Sequence, residues 1–205
     1  IAMAAQWFNT QPHVKVVIVS GKGRAFSAGA DLGTFAGQQD GDLRAAADQG
    51  RLMAEAVESM RAVSIAAVQG WCVGGGLVLV AACDLRVASE SAQFSIPEVD
   101  LGIPLAWGGI PRLVREIGPA LTKELVMTCR PFDAAEAHSA GFLNRVVADE
   151  ALDAAAMELA NSLAQKASHA LFSTKRHVNA VTGQMVGAMR DRKSTRLNSS
   201  HQIIS

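Results

Sequence analysis

Two glycine-rich clusters and one proline-flanked glutamate are the positions in this sequence whose residue types and spacing best suit chemistry. The first cluster, Gly21-Lys22-Gly23-Arg24-Ala25-Phe26-Ser27-Ala28-Gly29-Ala30-Asp31, follows a β-branched run. As a dinucleotide fingerprint it fails, because Phe26 stands where a third glycine must let helix and strand pack closely. As a nucleotide phosphate loop it also fails, since no Gly-Lys-Ser/Thr follows. The second cluster, Val73-Gly74-Gly75-Gly76-Leu77, opens an apolar helix-like run. Backbone N–H groups at a helix N-terminus have no intrahelical partner and carry the positive end of the helix dipole, so they suit an anion or a developing oxyanion. Glycine lets a ligand approach that backbone closely. On physics alone, a tight turn serving only packing stays open. Glu98 follows Pro97 in a largely apolar stretch, where loss of solvent would raise a carboxylate's pKa toward working pH.

The elements that must position these groups are legible from periodicity. Val14 to Ser20 and Ile65 to Val68 are short β-branched runs ended by glycine, which predicts buried strands. Leu43 to Met60 has helical spacing. Leu77 to Cys83 is apolar all round and predicts a helix inside the core. Leu85 to Ala88 and Gln93 to Ser95 read as strands, with Asp100 on a strand-like continuation of the second. Ile110 to Ile117 and Leu121 to Thr128 read as helices broken at Gly118-Pro119. Asp133 can cap a helix from Ala134 to Ser139. A last strand is expected at Asn144 to Val147, then amphipathic helices over Asp149 to Gln165 and Ala167 to Val181. Strands alternating with helices give the α/β class, and no internal sequence repeat is visible.

Composition narrows the function classes. The 205 residues suit one domain, and 19 basic against 19 acidic residues give no electrostatic case for nucleic acid or an anionic membrane. Ala62 to Cys83 runs 22 residues without a charge. Its glycine triplet, at about 1 kcal/mol per residue against alanine, argues against a membrane helix. The three cysteines have no C-x-x-C spacing and read as apolar fillers in a reducing, cytoplasmic setting. The five histidines make no ligand set, so no metal site is expected. The chain opens on Ile1 without an initiator Met and reads as truncated at both ends. Residues 1–189 are expected to be the core, with 190–205 a non-native or disordered tail.

The motifs together resemble the enoyl-CoA hydratase/isomerase (crotonase) superfamily. Ala25-Phe26-Ser27-Ala28-Gly29-Ala30-Asp31-Leu32 is similar to its A-F-x-A-G-x-D-L signature. Ala67-Val68-Gln69-Gly70 through Gly74-Gly75-Gly76 is similar to its A-x-x-G-x-x-x-G-G-G segment. Cys83-Asp84-Leu85-Arg86, Phe94-Ser95-Ile96-Pro97-Glu98, Gly108-Gly109, Phe132-Asp133-Ala134-Ala135-Glu136-Ala137 and Gly141-Phe142-Leu143 come after it in family order. The resemblance covers about residues 12 to 180. It implies a crotonase fold, a ClpP-like spiral of repeated β-β-α units closed by C-terminal helices. It also implies an acyl-CoA thioester substrate with no separate cofactor, coenzyme A arriving as part of the substrate.

By the same resemblance, the N–H groups of Ala30 and Gly75 would form an oxyanion hole for the thioester enolate, and Glu98 would move the proton. Ala28, Asp31, Leu32 and Gly74 would line the substrate. Hydratases of the family carry a second glutamate two residues past the glycine triplet, where this chain has Val78. Dienoyl isomerases carry an aspartate where it has Ala106, and Asp100 is a candidate stand-in. Single-glutamate, isomerase-like double-bond shifting is therefore expected ahead of hydration. A weakened 2-enoyl-CoA hydratase and a non-catalytic acyl-CoA-binding subunit are the alternatives. A homotrimer or dimer of trimers is the implied assembly of the full-length protein.

Overall fold

The computed structural model describes residues 1–29 and 40–186, with side chains of the second stretch described from residue 48. In chain order the elements begin with helix α1 (Ala2–Asn9), strand β1 (Val16–Ser20), helix α2 (Asp40–Glu58) and strands β2 (Val63–Val68) and β3 (Trp71–Val73). Helix α3 (Gly75–Ala82), strands β4 (Leu85–Ser89) and β5 (Gln93–Ser95) and the long helix α4 (Gly109–Thr128) come next. Strand β6 (Phe132–Asp133), helix α5 (Ala134–Ser139), strand β7 (Arg145–Val147) and helices α6 (Leu152–Ala164) and α7 (Ser168–Met185) complete the described chain. The expected α/β class holds.

Two sheets share the core. The larger is all-parallel in the order β1-β2-β4-β7, and the smaller runs β3-β5-β6 with only β6 antiparallel. Both faces of the larger sheet are covered, which is why its strands read as nearly unbroken apolar runs. Ile65, Ala67 and Val87 pack against Leu152, Ala156 and Ala160 of α6. Ala66, Val68 and Ala88 face the main core with α2 and α3.

Chain order shows the spiral of β-β-α units that the family resemblance implies. After β2 the chain turns at Gln69-Gly70, adds β3 to the second sheet and then forms α3. After β4 it repeats the course through β5 and α4, with β2 parallel to β4 and β3 parallel to β5. Residues after β1 begin the same course, since Ser27 makes a parallel bridge to Cys72. The turns through β2-β3 and β4-β5 thus each add one strand to both sheets. The repeat is geometric and uses different residues each time, so no sequence repeat marks it. Strands β3 and β6 escaped the sequence reading because three- and two-residue strands leave too little alternation to detect.

Local signals fared well elsewhere. The Asp133 side chain accepts a 2.8 Å bond from the Glu136 N–H, capping α5 as expected. Gly118 breaks α4 with φ 74° and ψ 167°, next to Pro119. Cys72, Cys83 and Cys129 are free and buried. Burial pushes the Cys83 thiol up to about 12, consistent with an inert filler. No helix among the described residues is long and apolar enough to cross a membrane.

Helix α7 is pinned to the larger sheet by one buried charge. Lys175 Nζ donates 2.7 Å to Asp84 Oδ2 and 3.1 Å to the Ala62 carbonyl. The same Asp84 oxygen accepts from Ser64 N–H at 2.8 Å and Ser64 Oγ at 2.9 Å. Removing one partner of such a pair leaves the other charge buried and unpaired. Lys175→Met is expected to cost about 3–5 kcal/mol by urea unfolding, and an unchanged midpoint would show that α7 is held by other contacts.

Candidate functional site

The site forms where three parallel segments end together. Val73 on β3 is in register with Ser95 on β5, and Ser27 bridges Cys72 from the other side. Ser27 N–H donates to the Trp71 carbonyl, and Val73 N–H donates to the Ser27 carbonyl at 3.0 Å. The residues leaving these ends therefore converge: Gly29 from the first, Gly74 and Gly75 from the second, Glu98 from the third. Ligand sites favour the carboxyl ends of parallel strands for this reason.

Each glycine of the triplet is answered by a different neighbour. Gly74 adopts φ 53° and ψ −116°, a left-handed conformation that side chains rarely adopt. A β-carbon there would also lie 2.6 Å from Glu98 Oε1. On Gly75 it would overlap the Trp107 ring at Cζ3 and Cη2, and on Gly76 it would come within 2.6 Å of Ser27 Oγ. Three consecutive residues thus give up the β-carbon so that a carboxylate, an indole and a serine can reach the helix start.

The peptide between Gly74 and Gly75 has a fixed orientation. The Gly74 carbonyl accepts from Leu77 N–H at 2.9 Å and Val78 N–H at 3.1 Å, so it points into α3. In a trans peptide the N–H points the opposite way, so the Gly75 N–H faces out of the helix start. It has no acceptor among the described residues. Beside it, Glu98 Oε2 is shielded from solvent and likewise has no partner among the described residues. Burial pushes the Glu98 carboxyl above its ordinary value of 4.5, opposed by its own backbone N–H. An outward N–H and a poorly solvated carboxylate lie side by side.

Comparison with known proteins gives the family. The enoyl-CoA hydratase/isomerase family matches residues 1–202. The chain belongs to this family. It is 40% identical over 164 residues to mevalonyl-coenzyme A hydratase of Aspergillus fumigatus, covering 78% of this chain and 59% of that protein. It is 35% identical over 177 residues to the peroxisomal Delta(3,5)-Delta(2,4)-dienoyl-CoA isomerase of Arabidopsis thaliana, covering 80% and 64%. The chain thus spans about three-fifths of these relatives. The crystal structure of an enoyl-CoA hydratase from Bacillus anthracis superposes with a TM-score of 0.80 at 34% identity, covering 90% of this chain and 78% of that one. Likeness to structures of the family at this level supports the crotonase fold.

In the family frame, the structure brings Glu98, Gly74 and Gly75 together. Ala28 is exposed on the neighbouring segment, and Gly29 stacks beside Val73, where a β-carbon would lie 3.4 Å from its Cγ1. Ala30, Asp31 and Leu32 lie outside the described residues. Two expectations about carboxylates are refined. Asp100 is exposed and sits in a turn, not on a strand, because Leu101 and Ile103 N–H groups bond back to the Glu98 carbonyl. Val78 is fully buried, its Cγ2 2.9 Å from where a β-carbon on Gly109 would lie. Among the described residues no cluster of His, Cys, Asp or Glu could hold a metal ion.

Trp107 was missed by sequence reasoning. A lone tryptophan before two glycines carries no periodic signal, and its role depends on two distant glycines meeting its ring. The alternating chain of ions nearby was equally hidden. Glu58 binds Arg112 and Arg115, Arg115 binds Glu116, and Glu116 binds Arg86. Burial raises the Glu58 carboxyl, but the Arg112 and Arg115 guanidiniums outweigh it and hold the group below its usual range.

Substitutions at the site have two expected outcomes. Gly75→Ala is expected to destabilise the fold by roughly 1–3 kcal/mol through overpacking, and Trp107→Leu in the same chain should restore part of the loss in denaturant unfolding. The raised Glu98 carboxyl favours the folded state below 4.5 and loses that benefit as pH rises through its folded value. Glu98→Gln should therefore raise Tm at pH 7, with the gain shrinking toward pH 4. A gain that is larger at pH 4 than at pH 7 would contradict the desolvated carboxylate.

Proposed function

We propose that this chain stabilises the enolate of an acyl-CoA thioester and shifts a carbon–carbon double bond with Glu98 as its sole acid–base group. The observation that carries this reading is the outward N–H of Gly75 beside a Glu98 oxygen that has no partner among the described residues. Proton removal next to a thioester builds negative charge on the carbonyl oxygen. A pre-aligned backbone donor favours that charged state over the ground state, and the Ala30 N–H would be the second donor. A carboxylate with raised pKa can both take and return a proton near neutral pH.

The steps balance without a co-reactant. The Glu98 carboxylate takes a proton from C2 of a 3-enoyl thioester, and the electron pair delocalises onto the thioester oxygen as a dienolate. Glu98, now protonated, returns the proton to C4, leaving the double bond between C2 and C3. Asp31, Leu32 and Ala28 would line the path of the CoA, which enters with the substrate. A homotrimer or dimer of trimers is the assembly we infer for the full-length protein.

Hydration is ranked second because Val78 fills its position with apolar core. Water addition is better served by two carboxylates sharing the proton transfers, and Val78, fully buried beside Gly109, offers an apolar side chain at that position instead. Hydratases among the relatives keep the 2-enoyl-CoA hydratase reading as the alternative.

Turnover of paired 2-enoyl and 3-enoyl thioesters tests the proposal. The 3-enoyl substrate should be isomerised faster than the 2-enoyl substrate is hydrated. Glu98→Gln should lower that isomerisation by about 100-fold or more. The acid limb of kcat/KM should lie above 4.5, the ordinary value of the group, because the base must be ionised. Activity surviving in Glu98→Gln would sink the mechanism, and faster hydration would reverse the ranking.

A further inference from the structure

Trp107 is the strongest unassigned feature beside the site. Its backbone adopts φ 58°, a left-handed conformation that is an outlier for a bulky side chain. Gly108 comes next at φ 68°. Such strain persists only where surrounding contacts over-determine it. Here Arg112 Nη1 donates to the Trp107 carbonyl at 3.2 Å and the Gly108 carbonyl at 3.0 Å. The guanidinium is itself held by Glu58 Oε2 at 2.6 Å.

The indole ends up between two helices at positions with no side chain. One edge lies over Gly75 of α3, where a β-carbon would overlap Cζ3 and Cη2. The other lies against Gly50 of α2, where a β-carbon would overlap Cε2, Cδ2 and Nε1. The Cα atoms of Gly74 and Gly75 are about 3.8 Å apart across one peptide. The Glu98 carboxylate over Gly74 and the indole over Gly75 therefore flank the same N–H. An acyl group whose oxygen binds that N–H must lie against both.

We propose that the Trp107 indole is the wall of the acyl site and selects short acyl chains over long ones. The proposal rests on the acyl-CoA reading above. It is a specificity role: the ring takes no proton and forms no bond with the substrate, but it occupies the space on the α2 side of the oxyanion position. Hydrophobic pockets discriminate by volume, at about tenfold or more per excluded group.

The test uses the full chain with butenoyl-, octenoyl- and dodecenoyl-CoA. Trp107→Ala should raise kcat/KM for the dodecenoyl substrate relative to butenoyl by about tenfold or more, with Trp107→Phe intermediate. A parallel fall for all three substrates would overturn the proposal and make Trp107 a packing prop. Binding of S-alkyl-CoA thioethers, which cannot react, separates this from the catalytic reading. A chain-length shift in their Kd with no turnover in the unaltered protein supports the wall and rejects the mechanism. Tryptophan emission gives a readout that leaves Trp107 in place. The other two tryptophans, Trp7 and Trp71, are 56% and 47% exposed, and Trp7→Phe with Trp71→Phe leaves Trp107 as sole emitter. S-butyl-CoA should then change its emission intensity or wavelength, and saturable binding without any change would refute the wall even if the Ala variant fails to fold.

Discussion

Ser27 comes from one turn of the spiral and Glu98 and Trp107 from another, and each needs the place a β-carbon would take on one of three successive residues at the start of α3. Only a Gly-Gly-Gly run meets that demand. The cost is real, because glycine in a helix is about 1 kcal/mol less favourable than alanine at each position. Core burial offsets it: Gly76 to Ala82 are all buried, so α3 is held by tertiary contacts. The helix start is thus fixed from outside, by the groups packed onto it. Its outward N–H keeps its direction because the Gly74 carbonyl is committed to the first helical bonds.

One of those packed groups, Trp107, is itself held by the alternating Arg and Glu chain. Glu58 closes α2, Arg112 and Arg115 belong to α4, and Arg86 lies on β4. Arg86 also donates to the Phe142 and Cys83 carbonyls, which carries the network to the segment before β7. Buried ion pairs add little net stability, since loss of solvent cancels much of the attraction. Their value here is positional. Arg112 reaches two carbonyls of the strained turn at Trp107 and Gly108 while Glu58 holds its other end. The orientation of the indole over Gly75 is therefore coupled to how α2 meets α4.

The features that could be read from the sequence divide along the range of the interactions. Local signals, such as the Asp133 cap and the Gly118-Pro119 break, depend on neighbours a few residues away and were legible. The site was legible in part because Gly75 and Glu98 belong to motifs whose order is informative. Trp107 and the ion chain were not, because they join residues dozens of positions apart and no local pattern announces them. Asp100 shows the reverse failure: an apolar, proline-containing stretch looked extended, yet the Glu98 carbonyl draws the chain into a turn. Short strands β3 and β6 were hidden for a different reason, since their register comes from the sheet they join.

Val78 and Trp107 both fill space beside the start of α3, and under the proposed function this bears on which reactions one pocket can serve. The outward N–H and the adjacent carboxylate suit any reaction that passes through a thioester enolate. The fate of that enolate depends on whether water and a second acid–base group can reach the β-carbon. Val78 presents an apolar side chain there from inside α3, with Leu105 and Gly109 packed close to it. Introducing a glutamate there would bury a carboxylate with no partner in place, and such a group neutralises or destabilises instead of activating water. Under the proposed function, confining the enolate to proton return rests on the apolar packing around Val78 as much as on the single carboxylate.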